Sequence, residues 1–372
     1  MPLPVSSVAP LALPDFTNLK TPFLVAGPCS AETEEQVLET AHALRKNPAI
    51  QAFRAGVWKP RTRPNAFEGH GSPALPWLAR VRQETGLPVA TEVANASHTE
   101  EALKAGIDIL WIGARTTVNP FFVQEIADVL KGVNIPVMVK NPVTPDLALW
   151  IGAIERLQNA GVNNLAAIHR GFTTWGKSQY RNNPEWSIPI EFRRQLPGIP
   201  LICDPSHISG NRTLLFAIAQ KALDLDYAGL MIESHPRPDE AWSDARQQIN
   251  PEGLFNLLQG LRYSHSSPVA EDDADLLTLL REKIDKVDRR MLELLSERME
   301  IVRQIGAYKK EKGITLLQIN RWADIFENRT ENGVSLGLSP KTIHALFQLI
   351  HLESIDLQER ILSGKDSNNG AS

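Results

Sequence analysis

Cysteine is nearly missing from this chain: Cys29 and Cys203 are the only two in 372 residues. So few, so far apart, exclude a disulfide framework and fit a reducing compartment. Long apolar runs are missing as well, and no segment reaches the length needed to span a bilayer. The first twenty residues carry four prolines and no charged segment leading into an unbroken apolar core, so they do not read as a secretory signal. Charge of one sign is not in excess. A net charge of -4 gives no global attraction to nucleic acid, so any anion must be held by local clusters. The expected compartment is the cytoplasm, with no nucleic acid and no membrane as partner. What is present is an ordinary globular composition, 42% hydrophobic and 22% charged, over enough chain for two domains.

From Phe23 onward, short apolar runs alternate with longer amphipathic ones. The strand-like runs are Phe23–Ala26, Ala52–Ala55, Pro88–Val93, Ile109–Gly113, Pro136–Lys140, Leu165–His169, Pro200–Asp204 and Gly229–Glu233. Helical patterns lie between them at Glu34–Lys46, Leu75–Thr85, His98–Ala105, Pro120–Leu130, Asp146–Ala160 and Arg212–Leu223. Continuous apolar strands separated by helices imply a parallel sheet covered on its outside. Eight such units predict a (β/α)₈ TIM barrel, an α/β fold. The alternative, a doubly wound open sheet, lacks a Gly-x-Gly-x-x-Gly turn after the first strand.

The composition changes after Tyr263. Residues 264–273 read as a polar, acidic linker, and Leu276–Lys312 is free of proline with apolar residues at helical spacing. Shorter helices are expected at about Gln318–Glu331 and Pro340–Leu362, and 363–372 reads as a disordered tail. The expected organisation is a barrel over 1–263 and an all-α three-helix domain over 274–362. One helix so much longer than its neighbours cannot bury its apolar stripe alone, so a homodimer through this domain is expected.

A barrel of this kind works at the C-terminal ends of its strands. The ends hold Cys29, then Lys59, Arg61 and Arg63 stiffened by Pro60 and Pro64, then Glu92, Arg115, Lys140, Arg170, His207, Glu233 and Asp244. Singly, each reads as a surface charge or a small buried residue. Together, Lys59, Arg61, Arg115, Lys140 and Arg170 are cations without a local acid, suited to small phosphorylated acids. Cys29, His207, Glu233 and Asp244 make a possible sulfur, nitrogen and oxygen set for one divalent metal, although scattered spacing is a weak signal by itself.

The motifs that carry these residues resemble a known family. Gly27-Pro28-Cys29-Ser30, Lys59-Pro60-Arg61-Thr62, Gly113-Ala114-Arg115, Lys140, His169-Arg170-Gly171, Asp204-Pro205-Ser206-His207, the run from Gly229 to Pro236, and Ser243-Asp244 look like 3-deoxy-D-arabino-heptulosonate 7-phosphate (DAHP) synthase of the compact type Iβ group. The tetrapeptide Lys59–Thr62 is the specific element; the related octulosonate 8-phosphate synthases typically carry Lys-Ala-Asn-Arg there. The resemblance implies metal-dependent condensation of phosphoenolpyruvate with erythrose 4-phosphate, the first step of the shikimate pathway. It implies that Cys29, His207, Glu233 and Asp244 bind the metal (Mn²⁺, Fe²⁺, Co²⁺ or Zn²⁺). Arg115, Lys140 and Arg170 would hold phosphoenolpyruvate, Arg61 would sit between the substrates, and Lys59, Arg61 and Thr62 would meet erythrose 4-phosphate.

On the long helix, Arg298 and Lys309 are eleven residues apart and lie within about 20° of one face. Arg281, seventeen residues before Arg298, is about 25 Å along the axis and roughly 100° round, so it cannot share their ligand within one straight helix but could reach a site on a partner chain. The bland alternative is that all three are solvated helix charges. Leu280–Asp288, Leu294–Arg298, Gly306–Lys309, Phe347–Ile350, Ser354 and Gln358 resemble the AroQ-type chorismate mutase, an intertwined dimer. The resemblance implies that Arg281, Arg298, Lys309, Gln318, Arg321, Ser354 and Gln358 bind chorismate or prephenate. Trp322 stands where that family usually has a hydrogen-bonding Glu, so weakened to moderate mutase activity is expected. The alternative is that this domain mainly senses chorismate or prephenate and regulates the barrel, with little turnover of its own.

Overall fold

The computed structural model describes residues 13–19, 22–60, 66–176, 178–263, 271–315 and 328–363, the side chains of 271–277 excepted. The chain divides into two compact units, Met1–Ser266 and Ser267–Ser372.

The first unit is a closed barrel of eight parallel strands in sequence order. They are β1 (Phe23–Gly27), β2 (Ala52–Arg54), β3 (Val89–Val93), β4 (Ile109–Ile112), β5 (Val137–Lys140), β6 (Leu165–His169), β7 (Leu201–Cys203) and β8 (Gly229–Glu233). Every strand is buried along its whole length, which is why the sequence shows continuous apolar runs rather than alternation. The ring closes where all five residues of β1 pair with Gly229–Glu233 of β8. Two apolar clusters result. One fills the barrel interior with Val25, Ile109, Trp111, Met138, Ile168 and Met231; the other lies between strands and helices. Phe16 plugs the interior from the N-terminal end, edge-on to Phe23 at 5.4 Å, and its amide is held by Asn164 Oδ1 at 2.9 Å.

The outer helices are α1 (Glu34–Arg45), α2 (Leu75–Thr85), α3 (Ala96–Lys104), α4 (Ala114–Thr117), α5 (Pro120–Val129), α6 (Leu147–Asn159), α7 (Ser187–Gln195), α8 (Pro205–Ser209), α9 (Leu215–Asp224) and α10 (Pro251–Gly260). Many start where the local chemistry dictates: Thr33, Asn95, Asn119, Asp146 and Asn250 each accept a hydrogen bond from the first turn. Strand and helix bounds fall within about two residues of the sequence expectation, except that Arg212–Leu214 is a 3₁₀ turn ahead of α9. The pattern gave no sign of α4, α7, α8 or α10. All four are ten residues or fewer, too short to show a clear helical period, and α7 carries Pro189 inside its first turn.

The second unit is helical. Its first helix, α11 (Glu271–Lys312), is 42 residues long, about 63 Å. It begins inside the stretch read as linker. A second helix, α12, is described over residues 328–335, and α13 spans Pro340–Ser363. No helix among the described residues is long and apolar enough to cross a membrane.

Candidate active site

The site in the barrel starts with Gly27, whose φ of +148° lets β1 turn into the loop carrying Cys29. A Cβ there would sit 2.0 Å from the Arg54 carbonyl, so only glycine fits. Cys29 is then fixed from three sides. Its amide donates to Gln248 Oε1 at 3.0 Å, and its carbonyl accepts from Lys59 Nζ at 3.1 Å and Arg54 Nη2 at 3.3 Å. The thiol donates to Asp244 Oδ2 at 3.2 Å and lies 3.1 Å from Lys59 Nζ. Burial and then Glu233 push it up to about 12, against the pull of Lys59.

Glu233 closes β8 and is wholly buried. Its Oε2 accepts from Gln247 at 2.6 Å, and its Oε1 faces Arg54 Nη2 at 3.3 Å and His207 Nδ1 at 3.8 Å. Burial works against ionisation, but His207 and Arg54 outweigh it and hold the carboxyl below its ordinary value. Asp244 adopts a left-handed backbone, φ +51°, and meets Arg181 at 3.0 Å. Against burial, Arg181 and His207 hold its carboxyl well below the carboxylate range. One ligand atom each from Cys29, Glu233 and Asp244 lie within 4.8 Å of one another. His207, the fourth expected ligand, stands at the edge of this trio. Its Nδ1 is 2.8 Å from Asp204, and burial lowers its basicity.

The donor set fits a divalent cation. Thiolate plus two carboxylates match the borderline metals, and Glu233 Oε1 is a buried oxygen with no hydrogen-bond donor among the described residues.

Cations surround this trio. Lys59 is nearly buried, yet Cys29, Glu92 and Glu233 raise its basicity despite burial. Lys140 Nζ pairs with Asp204 at 2.9 Å. Arg170 donates to Asn182 Oδ1 at 2.7 Å, and burial lowers its guanidinium to about 10. Arg115 is exposed on α4, within electrostatic reach of Arg170. Arg61 and Thr62, the core of the expected substrate-choosing loop, lie outside the described residues, as does Arg63.

Sequence reading missed Arg54, whose guanidinium lies 4.8 Å over the Trp111 ring with Nε and Nη1 unsatisfied among the described residues. The signal was available: Arg54 is two residues after Ala52, which faces the interior, so it points inward too. Arg181, Gln247 and Gln248 were missed as well, because loops carry no periodicity to place them.

In the helical unit, Arg298 Nη1 donates to Ser354 Oγ at 2.7 Å. Burial lowers the basicity of Arg298 and of Lys309. Gln358 is buried beside Gly306, three residues before Lys309. Arg281 is exposed. Gln318, Arg321 and Trp322 lie outside the described residues.

The first unit is therefore a (β/α)₈ barrel with a cation-lined centre built around a metal-capable trio. Its sequence agrees: residues 18–263 match the DAHP synthetase I family, and residues 280–359 match chorismate mutase type II. The chain belongs to the DAHP synthetase I family and carries a chorismate mutase domain in the same polypeptide, a bifunctional enzyme of the shikimate pathway. It is similar to the phospho-2-dehydro-3-deoxyheptonate aldolase of Thermotoga maritima, 29% identical over 64% of this chain and 68% of that one. A 2-dehydro-3-deoxyphosphooctonate aldolase of a Bradyrhizobium species is 30% identical over 66% of this chain and 88% of its own length. The crystal structure of the Thermotoga maritima enzyme (DAHP synthase) superposes with a TM-score of 0.58 at 29% identity, covering 64% of this chain and 67% of that chain.

Proposed function

We propose that the barrel condenses phosphoenolpyruvate with erythrose 4-phosphate at the Cys29 trio, using one divalent metal held by Cys29, His207, Glu233 and Asp244. The observation that carries this is the approach of three metal-capable side chains within 4.8 Å, directly beside Lys59. When bound, the ion supplies Lewis-acid polarisation of the aldehyde. Arg115, Lys140 and Arg170, with Arg54, hold the phosphate and carboxylate of phosphoenolpyruvate. Lys59, Arg61 and Thr62 take erythrose 4-phosphate. These cations offset the repulsion between two phosphorylated substrates and fix C3 of phosphoenolpyruvate against the aldehyde carbon. Water adds at C2, and phosphate leaves by C–O cleavage.

The helical unit, in this reading, converts chorismate to prephenate between Arg298, Lys309 and Gln358, with Arg281 reaching the site of a partner chain. A pericyclic step needs no nucleophile, only fixed charges. The exposed apolar residues Ile284, Val287, Met291 and Leu294 on α11 support a homodimer, since such a stripe needs cover. A prephenate site fused to the first enzyme of its own pathway also suits feedback inhibition. The cytoplasm remains the expected compartment, both cysteines being free thiols.

The 30% identity to a phosphooctonate aldolase keeps arabinose 5-phosphate as a rival aldehyde. A product assay with phosphoenolpyruvate and each sugar phosphate, before and after chelation, tests the barrel. Turnover only with erythrose 4-phosphate, lost on chelation and restored by metal, is expected; preference for arabinose 5-phosphate or indifference to chelator refutes it. Chorismate turnover and prephenate inhibition of the same protein test the helical unit.

A further inference from the structure

Helices α11 and α13 lie side by side and run in the same direction. Arg298 meets Ser354, and further along both helices Gly306 meets Gln358 and Ile361. The close approach is possible because Gly306 has no side chain: a Cβ there would stand 3.0 Å from Ile361 Cδ1 and 3.3 Å from Gln358 Cγ. On α13, His351 and Gln358 are seven residues apart and within about 20° of one direction, with Ser354 between them about 60° to one side. Ser354 and Gln358 are buried, and His351 is half-buried one turn before Ser354. The charged groups that bear on its imidazole are Arg298 and Lys309 of α11, and Arg329, near α12's described start, adds positive charge beside Arg298. Burial first, then the two α11 cations, push the imidazole below its ordinary value.

We propose that His351 is a further anion-contacting side chain of the helical unit's dicarboxylate site, aligned with Ser354 and Gln358 beside Arg298 and Lys309. This rests on the reading of that face as the chorismate and prephenate site. The free protein disfavours the charged form of His351 through burial first and then through the two cations that stand near it. A dicarboxylate cancels their repulsion, and the imidazole gains a proton and becomes a charged donor to a carboxylate oxygen. Binding takes up a proton from solvent, and affinity rises as pH falls through the titration of the complex. A histidine here therefore tunes the site to pH, which an apolar residue at the same place cannot do.

The test is calorimetric titration of the full-length protein with prephenate at several values between about pH 8 and about pH 6, in two buffers of different ionisation enthalpy. The wild type is expected to bind about tenfold more tightly at the lower end, with net proton uptake. His351→Gln, polar but without charge change, is expected to lose the uptake and flatten the profile. His351→Leu is expected to weaken low-pH binding about tenfold further. NMR of the His351 ring in the wild type, with and without prephenate, reads the same event without a substitution: its titration moves up on binding. An unchanged titration, or a wild-type pH profile in His351→Gln, overturns the proposal. Arg298→Ala separates it from the reading beneath it. Undiminished prephenate binding in that variant removes the site itself, whereas loss of binding there with a wild-type profile in His351→Gln removes only His351.

Discussion

The Tyr227 hydroxyl donates to Nδ1 of His169 at 3.0 Å, and the other ring nitrogen donates to the Pro184 carbonyl at 2.7 Å. A carbonyl can only accept, so Nε2 carries a proton, and burial keeps the ring from taking a second one, which leaves Nδ1 to accept from Tyr227. His169 sits fully buried at the end of β6, beside Arg170, and burial depresses it to about 3. The unfolded chain takes a proton there near 6.5, while the folded one refuses it until about 3. Stability therefore falls as pH drops through that window, and this one residue accounts for a loss on the order of 4 kcal/mol. Urea midpoints of wild type and His169→Gln at pH steps across the window check it: the variant is expected to show a slope shallower by about one proton. Parallel curves would count against it.

Arg54 and Glu233 are both wholly buried, 3.3 Å apart. Removing one partner strands the other. Arg54→Met is expected to cost the barrel about 3 kcal/mol, because the carboxylate stays in the interior without its neighbouring cation. Denaturant unfolding followed by tryptophan fluorescence measures it, and an unchanged midpoint would contradict the pairing.

Gly27 and Gly86 make a controlled comparison. Both have positive φ, but a Cβ at Gly27 meets the Arg54 carbonyl at 2.0 Å, while one at Gly86 meets nothing within 4 Å. Gly86→Ala is expected to cost about 1 kcal/mol of backbone strain. Gly27→Ala must also displace β2 from β1, and is expected to leave little soluble barrel. Equal soluble yield and thermal midpoint for the two variants would refute the close approach.

The apolar stripe on α11 yields a prediction about assembly. Ile284 is 59% exposed and Val287 58% within a single chain. The double variant Ile284→Glu, Val287→Glu is expected to turn a dimer into a monomer by light scattering and to lose mutase turnover, while condensation by the barrel persists. A variant that remains dimeric would move the interface elsewhere.

The strands were legible because parallel strands buried on both faces are apolar without interruption, and the helices because one face of each is apolar. Cys29, Glu233 and Asp244 were legible as residues at strand ends and as motif members but not as a contact, since the approach of residues 29 and 244 exists in the ring and nowhere in the spacing. Arg54 escaped for the opposite reason: one charge inside a three-residue strand looks like the strand's end. It lies inside because Glu233 and the Trp111 ring accept it there. His207 was grouped with the trio by its strand-end place and by motif. Its engagement with Asp204, which also caps α8 through the His207 amide at 3.1 Å, is a matter of local backbone geometry that no pattern of residue types reveals.

Strand β1 pairs with β8 along all five of its residues, and Cys29 comes just after the first of these strands while Glu233 ends the last. During synthesis the cation-bearing loops emerge early, but the thiol waits for a carboxylate some two hundred residues behind it. A nascent chain that has completed seven strands holds Cys29 without either carboxylate of the trio. Ring closure is thus the event that brings the thiol to its first carboxylate, and Asp244 joins them only from the loop that follows the last strand.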